Sequence, residues 1–201
     1  MRVAGVVLAA GASRRLGTPK QLLQDAVGQA LVVRTATQLI EAGCDPVVVV
    51  TGSAHDGVAS AVAALPVEVV FNPEWAEGMA SSIRSAIRQL EPATPGIEAV
   101  LITVCDIPSA CTRHYQDIIN TSAGFMVASE FVDGSTGNVR GVPALFPRKD
   151  WGALSLLEGD KGARALLSSA EVRTVFLPGG TLDIDTPQDL AEWRSAEGMA
   201  E

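Results

Sequence analysis

Val3-Ala4-Gly5-Val6-Val7-Leu8-Ala9-Ala10-Gly11-Ala12-Ser13-Arg14-Arg15-Leu16-Gly17-Thr18-Pro19-Lys20 joins an uncharged aliphatic run to a loop of small and cationic residues. An unbroken apolar run that stops at a glycine-containing loop is the pattern of a strand buried on both faces. A secretory leader also opens with a basic residue and an apolar stretch, but this one is short and enters a charged loop at once. Val3 to Leu8 is therefore expected as a first, central strand, with the loop leaving its carboxyl end.

The same rhythm repeats outward from that strand. Gln29 to Ala42 carries apolar residues at helical spacing and is closed by Gly43. Pro46 to Thr51 reads as a second buried strand, Ala54 to Ala64 as a helix, and Val67 to Phe71 as a third strand. Gly78 to Leu90 is an expected helix with Ser81 and Ser82 in its first turn, followed by a strand over Ala99 to Val104 and a helix over Arg113 to Asn120. Strands alternating with helices imply a mainly parallel, doubly wound sheet, that is, a Rossmann-like three-layer α/β domain. Beyond Phe125 the pattern changes. Met126 to Phe131 and Gly141 to Phe146 flank the polar, turn-rich stretch Asp133 to Asn138, expected as a small hairpin excursion or a loop over the site. Thr186-Pro187-Gln188-Asp189 starts a last helix, with a hydroxyl N-cap, proline at the first position and a carboxylate three residues on. No repeat or linker divides the chain, so residues 1–201 are expected to form one domain.

Composition narrows the partners. Hydrophobic residues make up 47% and aromatics only 4%, so the core must be aliphatic. A net charge of −8 argues against nucleic acid, whose binders need a basic face to displace counterions. A small phosphorylated ligand needs only a few local cations. Cys44, Cys105 and Cys111 form no CxxC pair and leave one over, which suits a reducing compartment. No stretch reaches the about 20 apolar residues of a membrane span. A cytoplasmic protein with no membrane partner is expected.

The loop at Ala9 to Lys20 holds the chemistry. Small residues let backbone N–H groups approach an anion, and Arg14, Arg15 and Lys20 add positive charge. A Walker A loop is excluded, because Gly17 is followed by Thr18-Pro19 and lies one residue too far from Gly11. The GxGxxG dinucleotide fingerprint is also absent. Spacing alone leaves open an ordinary strand-to-helix turn with exposed arginines.

The string LAAGASRRLGTPKQLL, residues 8–23, resembles the opening motif of the MobA-like NTP transferases, particularly the molybdenum cofactor cytidylyltransferase branch. Further stretches resemble that family in order along the chain: Asn72 to Ile83, Gly159-Asp160-Lys161-Gly162-Ala163-Arg164, and Asp183-Ile184-Asp185-Thr186-Pro187-Gln188-Asp189-Leu190. The resemblance implies that Leu8, Ala9, Ala10, Gly11, Arg15 and Lys20 wrap a triphosphate, and that Gly78 and Ser82 contact the nucleoside. It implies transfer of a nucleoside monophosphate from an NTP, CTP favoured, to a small phosphorylated acceptor such as molybdopterin, in company with a molybdoenzyme maturation partner. Arg15, Lys20 and Asp106 would be catalytic. The sequence departs from the family at Asp106-Ile107-Pro108 and Gly141-Val142-Pro143, where polar residues are usual. A related branch acts as oxidoreductases on nicotine-derived pigments, so a nicotinamide nucleotide is one rival ligand. A non-catalytic nucleotide-binding maturation factor is another reading.

Nucleotidyl transfer needs the α-phosphate's charge neutralised, and Mg²⁺ does so with one or two carboxylates plus phosphates and water. Asp106 follows the fourth strand and Asp185 precedes the last helix. A strand-end turn explains Asp106 equally well from local sequence, and helix N-terminal acids explain Asp183, Asp185 and Asp189. Resemblance favours Asp106 and Asp185 as the Mg²⁺ ligands. His55 and His114 lack ligand spacing, Cys105 reads as a buried strand end, Ser81 and Ser82 also read as helix caps, and Asp160 with Arg164 as either a solvated pair or acceptor contacts.

Overall fold

A computed structural model describes residues 1–93, 96–133, 137–160, 162–169 and 171–198. Strand β1 (Val3–Ala9) has all seven residues buried, the expected result for an aliphatic run with no polar side chain to solvate. It is followed by a loop and one 3₁₀ turn (Lys20–Leu22), helix α1 (Leu31–Glu41), β2 (Val47–Thr51), α2 (His55–Val62) and β3 (Glu68–Phe71). A 3₁₀ turn (Trp75–Glu77) leads into α3 (Met79–Ala93), then β4 (Ala99–Val104) and α4 (Thr112–Ser122). Strands β5 (Val127–Asp133) and β6 (Gly137–Pro147) form a hairpin, followed by the short helices α5 (Trp151–Ser155) and α6 (Arg164–Leu167), β7 (Arg173–Phe176) and α7 (Pro187–Ala196).

The seven strands form one sheet in the order β3-β2-β1-β4-β6-β5-β7. All neighbouring pairs are parallel except those made by β6, which runs antiparallel to both β4 and β5. The hairpin has two parts. At its base, β6 is stitched to β4 from Ala144 to Pro147; further out, Phe131 to Asp133 pair only with Val139 back to Gly137, beyond the reach of β4 and β7. That outer half is the excursion the polar stretch implied, and residues 134–136 lie outside the described residues.

Alternating side chains build two hydrophobic layers. Val3, Val7, Val49 and Leu101 pack with α1, α2, α4 and α7 through Leu31, Val58, Ile118 and Trp193. Val6, Leu8, Val50 and Ile102 face the other way, onto α3, α5 and α6 through Ile87, Trp151 and Leu167. Period-two alternation across a sheet covered on both faces gives the three layers. The sheet also settles where ligands are expected, since the loops after β1, β2 and β4 leave its carboxyl edge together.

Helix α7 begins with the reciprocal cap expected from its sequence. The Thr186 hydroxyl accepts from the Asp189 N–H, and the Asp189 carboxylate accepts from the Thr186 N–H at 2.7 Å. Asp189 is thereby explained as a capping residue.

Candidate active site

The loop after β1 is folded by its carbonyls. Gln21, buried in the 3₁₀ turn, donates its side-chain N–H groups to the oxygens of Ala9 (3.2 Å) and Gly11 (2.7 Å). From the end of β2, the Ser53 N–H bonds the Ala10 oxygen at 3.1 Å and the Ser53 hydroxyl donates to the Gly11 oxygen at 3.0 Å. Glycine at 52 is what permits this approach, because a Cβ there would stand 2.5 Å from the Ala10 oxygen and 2.7 Å from the Trp75 Cβ. With the carbonyls turned toward Gln21 and Ser53, the N–H groups of Gly11, Ala12, Ser13, Arg14 and Arg15 have no acceptor among the described residues. Consecutive unpaired amides beside cations make a nest for an anion. A Cβ at Gly11 would meet no protein atom within 4 Å, so no packing demand explains the glycine there.

Carboxylates from two distant segments meet beneath this loop. The Ile184 N–H donates to the Asp106 backbone carbonyl oxygen at 3.0 Å, tying the end of β4 to the segment that precedes α7. Lys20 then lies between the two side chains, in direct contact with the Asp106 carboxylate and 2.7 Å from Asp185 Oδ1. Arg15 pairs with the other Asp185 oxygen. Burial by itself lowers the Lys20 pKa, but attraction to Asp106 and hydrogen bonds to both carboxylates outweigh it and hold the ammonium group above its ordinary value. Asp106 is only 8% exposed, and its Oδ1 is a buried oxygen without a hydrogen-bond partner. An unsatisfied carboxylate oxygen beside a second carboxylate fits a hard divalent cation that completes its shell with phosphate and water. Among the described residues no group of three or more His, Cys, Asp or Glu is placed to hold a metal by protein ligands alone.

The start of α3 is ordered by Asn72, which is fully buried. Its amide donates to the hydroxyls of Ser81 (2.8 Å) and Ser82 (3.1 Å), while its Oδ1 accepts from the Glu74 N–H. Ser81 closes this turn by donating to the Glu74 and Gly78 oxygens, so it is a structural residue. Gly78 has φ +124°, and a Cβ there would lie 2.2 Å from the Asp160 carboxylate, which brings the segment around residue 160 against the start of α3.

Leu8, Ala10, Gly11, Arg15, Lys20, Gly78, Ser82, Asp106 and Asp185 line one cleft of about 560 Å³. Ala9 does not; its side chain lies in the opposite hydrophobic layer, because alternate residues of a strand face opposite ways. Arg14, Trp75 and Asp160 line the cleft as well. Sequence reasoning missed Gln21 and Ser53, which act by gripping backbone carbonyls; the only local signal for Gln21 was its place directly after Lys20. Asp183 lies outside this cleft, and its carboxyl is pushed up by burial and by repulsion from Asp185. Among the described residues Asp160 and Arg164 form no ion pair with each other, and Lys161 between them is outside the described residues. His55 bonds the Thr51 hydroxyl at 2.8 Å and His114 bonds Ser129 at 2.8 Å, both away from the cleft. Cys105 is buried, and that burial pushes its thiol well above the ordinary range.

The MobA-like NTP transferase domain matches residues 5–174. The chain belongs to that family. Among curated proteins, MobA-like relatives of this chain include nicotine blue oxidoreductase of Paenarthrobacter nicotinovorans, 29% identical over 82% of this chain and 81% of that protein. Purine catabolism protein PucB of Bacillus subtilis is 27% identical, covering 92% of each. Among solved structures, the Rv0371c homologue from Mycobacterium sp. strain JC1 superposes with a TM-score of 0.82 at 30% identity, over 98% of both chains. Rv0371c of Mycobacterium tuberculosis H37Rv, in a complex with manganese, gives 0.77 at 27% identity, over 98% of this chain and all of that one. A nucleotidyl transferase from Methanothermobacter shares the fold at 0.80 and 21% identity, covering 98% of this chain and 97% of its own. This MobA-like chain therefore has the Rossmann-like nucleotidyltransferase fold along nearly its whole length. Among the described residues, no helix is long and apolar enough to cross a membrane.

Proposed function

We propose that this chain is a Mg²⁺-dependent nucleotidyltransferase that moves a nucleoside monophosphate from an NTP to a small phosphorylated acceptor and releases pyrophosphate. The observation that carries the reading is Lys20 held between Asp106 and Asp185, beneath a loop whose amides are unpaired. The loop and Arg15 hold the triphosphate tail. Asp106 and Asp185 would hold the cation, which would supply positive charge against the phosphates during transfer. Lys20, beside the same loop, would place its charge where it stabilises the leaving group. An oxygen of the acceptor's phosphate forms a bond to the α-phosphorus, and the bond from that phosphorus to the bridging oxygen breaks, its electron pair leaving with pyrophosphate. The acceptor phosphate is already ionised, so no protein base is needed; these residues act by position and charge.

CTP and a molybdopterin-type acceptor are the favoured pair, supported by the likeness of residues 8–23 to the cytidylyltransferase branch. In that setting the chain would work in the cytoplasm with a molybdoenzyme maturation partner. The relative named nicotine blue oxidoreductase favours a second reading, a nicotinamide nucleotide on the same scaffold. A thermal-shift panel of CTP, GTP, ATP, UTP and NADPH, each with and without Mg²⁺, separates the two. The first reading expects a Mg²⁺-dependent rise with CTP and loss of pyrophosphate release in Asp106→Asn. Stabilisation by NADPH alone, or unchanged turnover in Asp106→Asn, would overturn it.

A further inference from the structure

A second cavity of about 330 Å³ abuts the first. Met79 belongs to both, Asp106 on one side is followed by Ile107 on the other, and Asp183 and Asp185 divide in the same way. The carboxylate pair therefore stands at the boundary between two compartments. One compartment is lined by the anion loop and by polar and apolar side chains in about equal measure. The other has apolar walls from Ile107, Phe131 and Val142, and two guanidinium groups, Arg140 and Arg164.

The protein carries 23 acidic residues against 15 basic ones, and among the described residues six of its twelve arginines, Arg2, Arg15, Arg34, Arg84, Arg88 and Arg113, are in ion pairs. Arg140 and Arg164 are in none among the described residues, although Glu130 is the cross-strand neighbour of Arg140. Among the described residues Arg140 is anchored by one side-chain bond, its Nη1 donating to the Ser169 oxygen at 2.9 Å, and the remainder of its fork has no partner. The side chain of Arg164 makes no hydrogen bond or ion pair among the described residues. Asp183 is the cavity's lone carboxylate among its described lining residues, so positive charge is in excess there.

We infer that this second cavity binds a small amphipathic anion, its apolar body against Ile107, Phe131 and Val142 and its acid group on Arg140 and Arg164. The planar guanidinium fork suits a carboxylate or a phosphate equally. Resting on the nucleotidyl-transfer reading, the occupant is the acceptor, and the boundary at Asp106 and Asp185 is where the two substrates meet. The acceptor class is then a phosphate ester with an apolar ring or chain, rather than a sugar phosphate, whose hydroxyls these walls would leave unpaired.

The test uses 8-anilino-1-naphthalenesulfonate, an apolar body with one fixed anion, followed by its fluorescence on the full chain. The wild type is expected to bind one equivalent, with an affinity unchanged by saturating CTP and Mg²⁺. Arg164→Met, which removes no hydrogen bond or ion pair among the described residues, is expected to weaken binding about tenfold, as is Arg140→Met. Phenyl phosphate and benzoate should displace the dye while benzyl alcohol does not, and the better of the two anions identifies the acid group. Wild-type affinity in both arginine variants, displacement by CTP, or equal displacement by benzyl alcohol would overturn the inference. A dye site that behaves as expected in a protein that CTP and Mg²⁺ fail to stabilise would sink the nucleotidyl-transfer reading and leave this cavity's assignment standing.

Discussion

Replacing Lys20 with methionine tests how the site is poised. In the wild type the ammonium group is the counter-charge of the nearly buried Asp106 and shares Asp185 with Arg15, and a divalent cation must displace it to reach them. Two unit charges about 4 Å apart interact by about 4 kcal/mol at an effective dielectric of 20. Relaxation and solvent recover part of that, and a net 1.4–2.8 kcal/mol corresponds to about a ten- to hundredfold change in affinity. Lys20→Met should therefore bind Mg²⁺ or Mn²⁺ more tightly than the wild type when no nucleotide is present. It should also lose about 2–4 kcal/mol of stability in metal-free buffer, because Asp106 is left without its counter-charge. Metal titration calorimetry and urea unfolding measure both. Pyrophosphate release should fall by about 10²–10³, the usual loss when one preorganised charge is removed from a transferring group. The lysine's pKa is raised on folding, so its contribution is complete below its ordinary value of 10.5 and disappears only as pH rises through the higher folded value. Equal or weaker metal binding by Lys20→Met would refute the reasoning.

Two further outcomes follow from single residues. Gly11→Ala meets no protein atom and should unfold like the wild type, within about 0.5 kcal/mol, while binding nucleotide triphosphate at least about tenfold more weakly; a thermal-shift titration separates the two effects. His114 is buried, and burial holds its pKa below the ordinary 6.5 despite attraction from Asp117. The unfolded chain then binds the proton first, so stability should decline as pH falls below about 6.5 until the folded value is reached. Urea midpoints across pH 5 to 7 should show that slope in the wild type and a flatter one in His114→Gln; identical slopes would remove His114 from the account.

Much of the fold was legible because its strands are aliphatic. Residues 46–51 and 99–104 read as strands, and the structure places β2 and β4 there within a residue. The reciprocal cap at Thr186 and Asp189 was equally plain, since capping chemistry is local. Strand β7 went unread because Arg-Thr-Val-Phe at the sheet's edge is half exposed and has no continuous apolar run. The pairing of residues 126–131 with 141–146 could be anticipated, but not the insertion of β6 between β4 and β5, which depends on contacts across about 45 residues. At the site, local sequence left Asp106 and Asp185 as ordinary turn and cap acids. What distinguishes them is a shared lysine 165 residues from Asp185, and spacing carries no trace of that. Gln21 and Ser53 stayed hidden for a different reason: backbone carbonyls, their targets, are the same at every position.

The most direct measurement is anomalous diffraction from a crystal grown with Mn²⁺ and a non-hydrolysable CTP analogue. The account predicts a metal peak within bonding distance of both Asp106 and Asp185, the triphosphate on the amides of residues 11–15, and Lys20 turned from the carboxylates to a phosphate oxygen. A peak elsewhere, or a bound triphosphate with Lys20 still between Asp106 and Asp185, would contradict it.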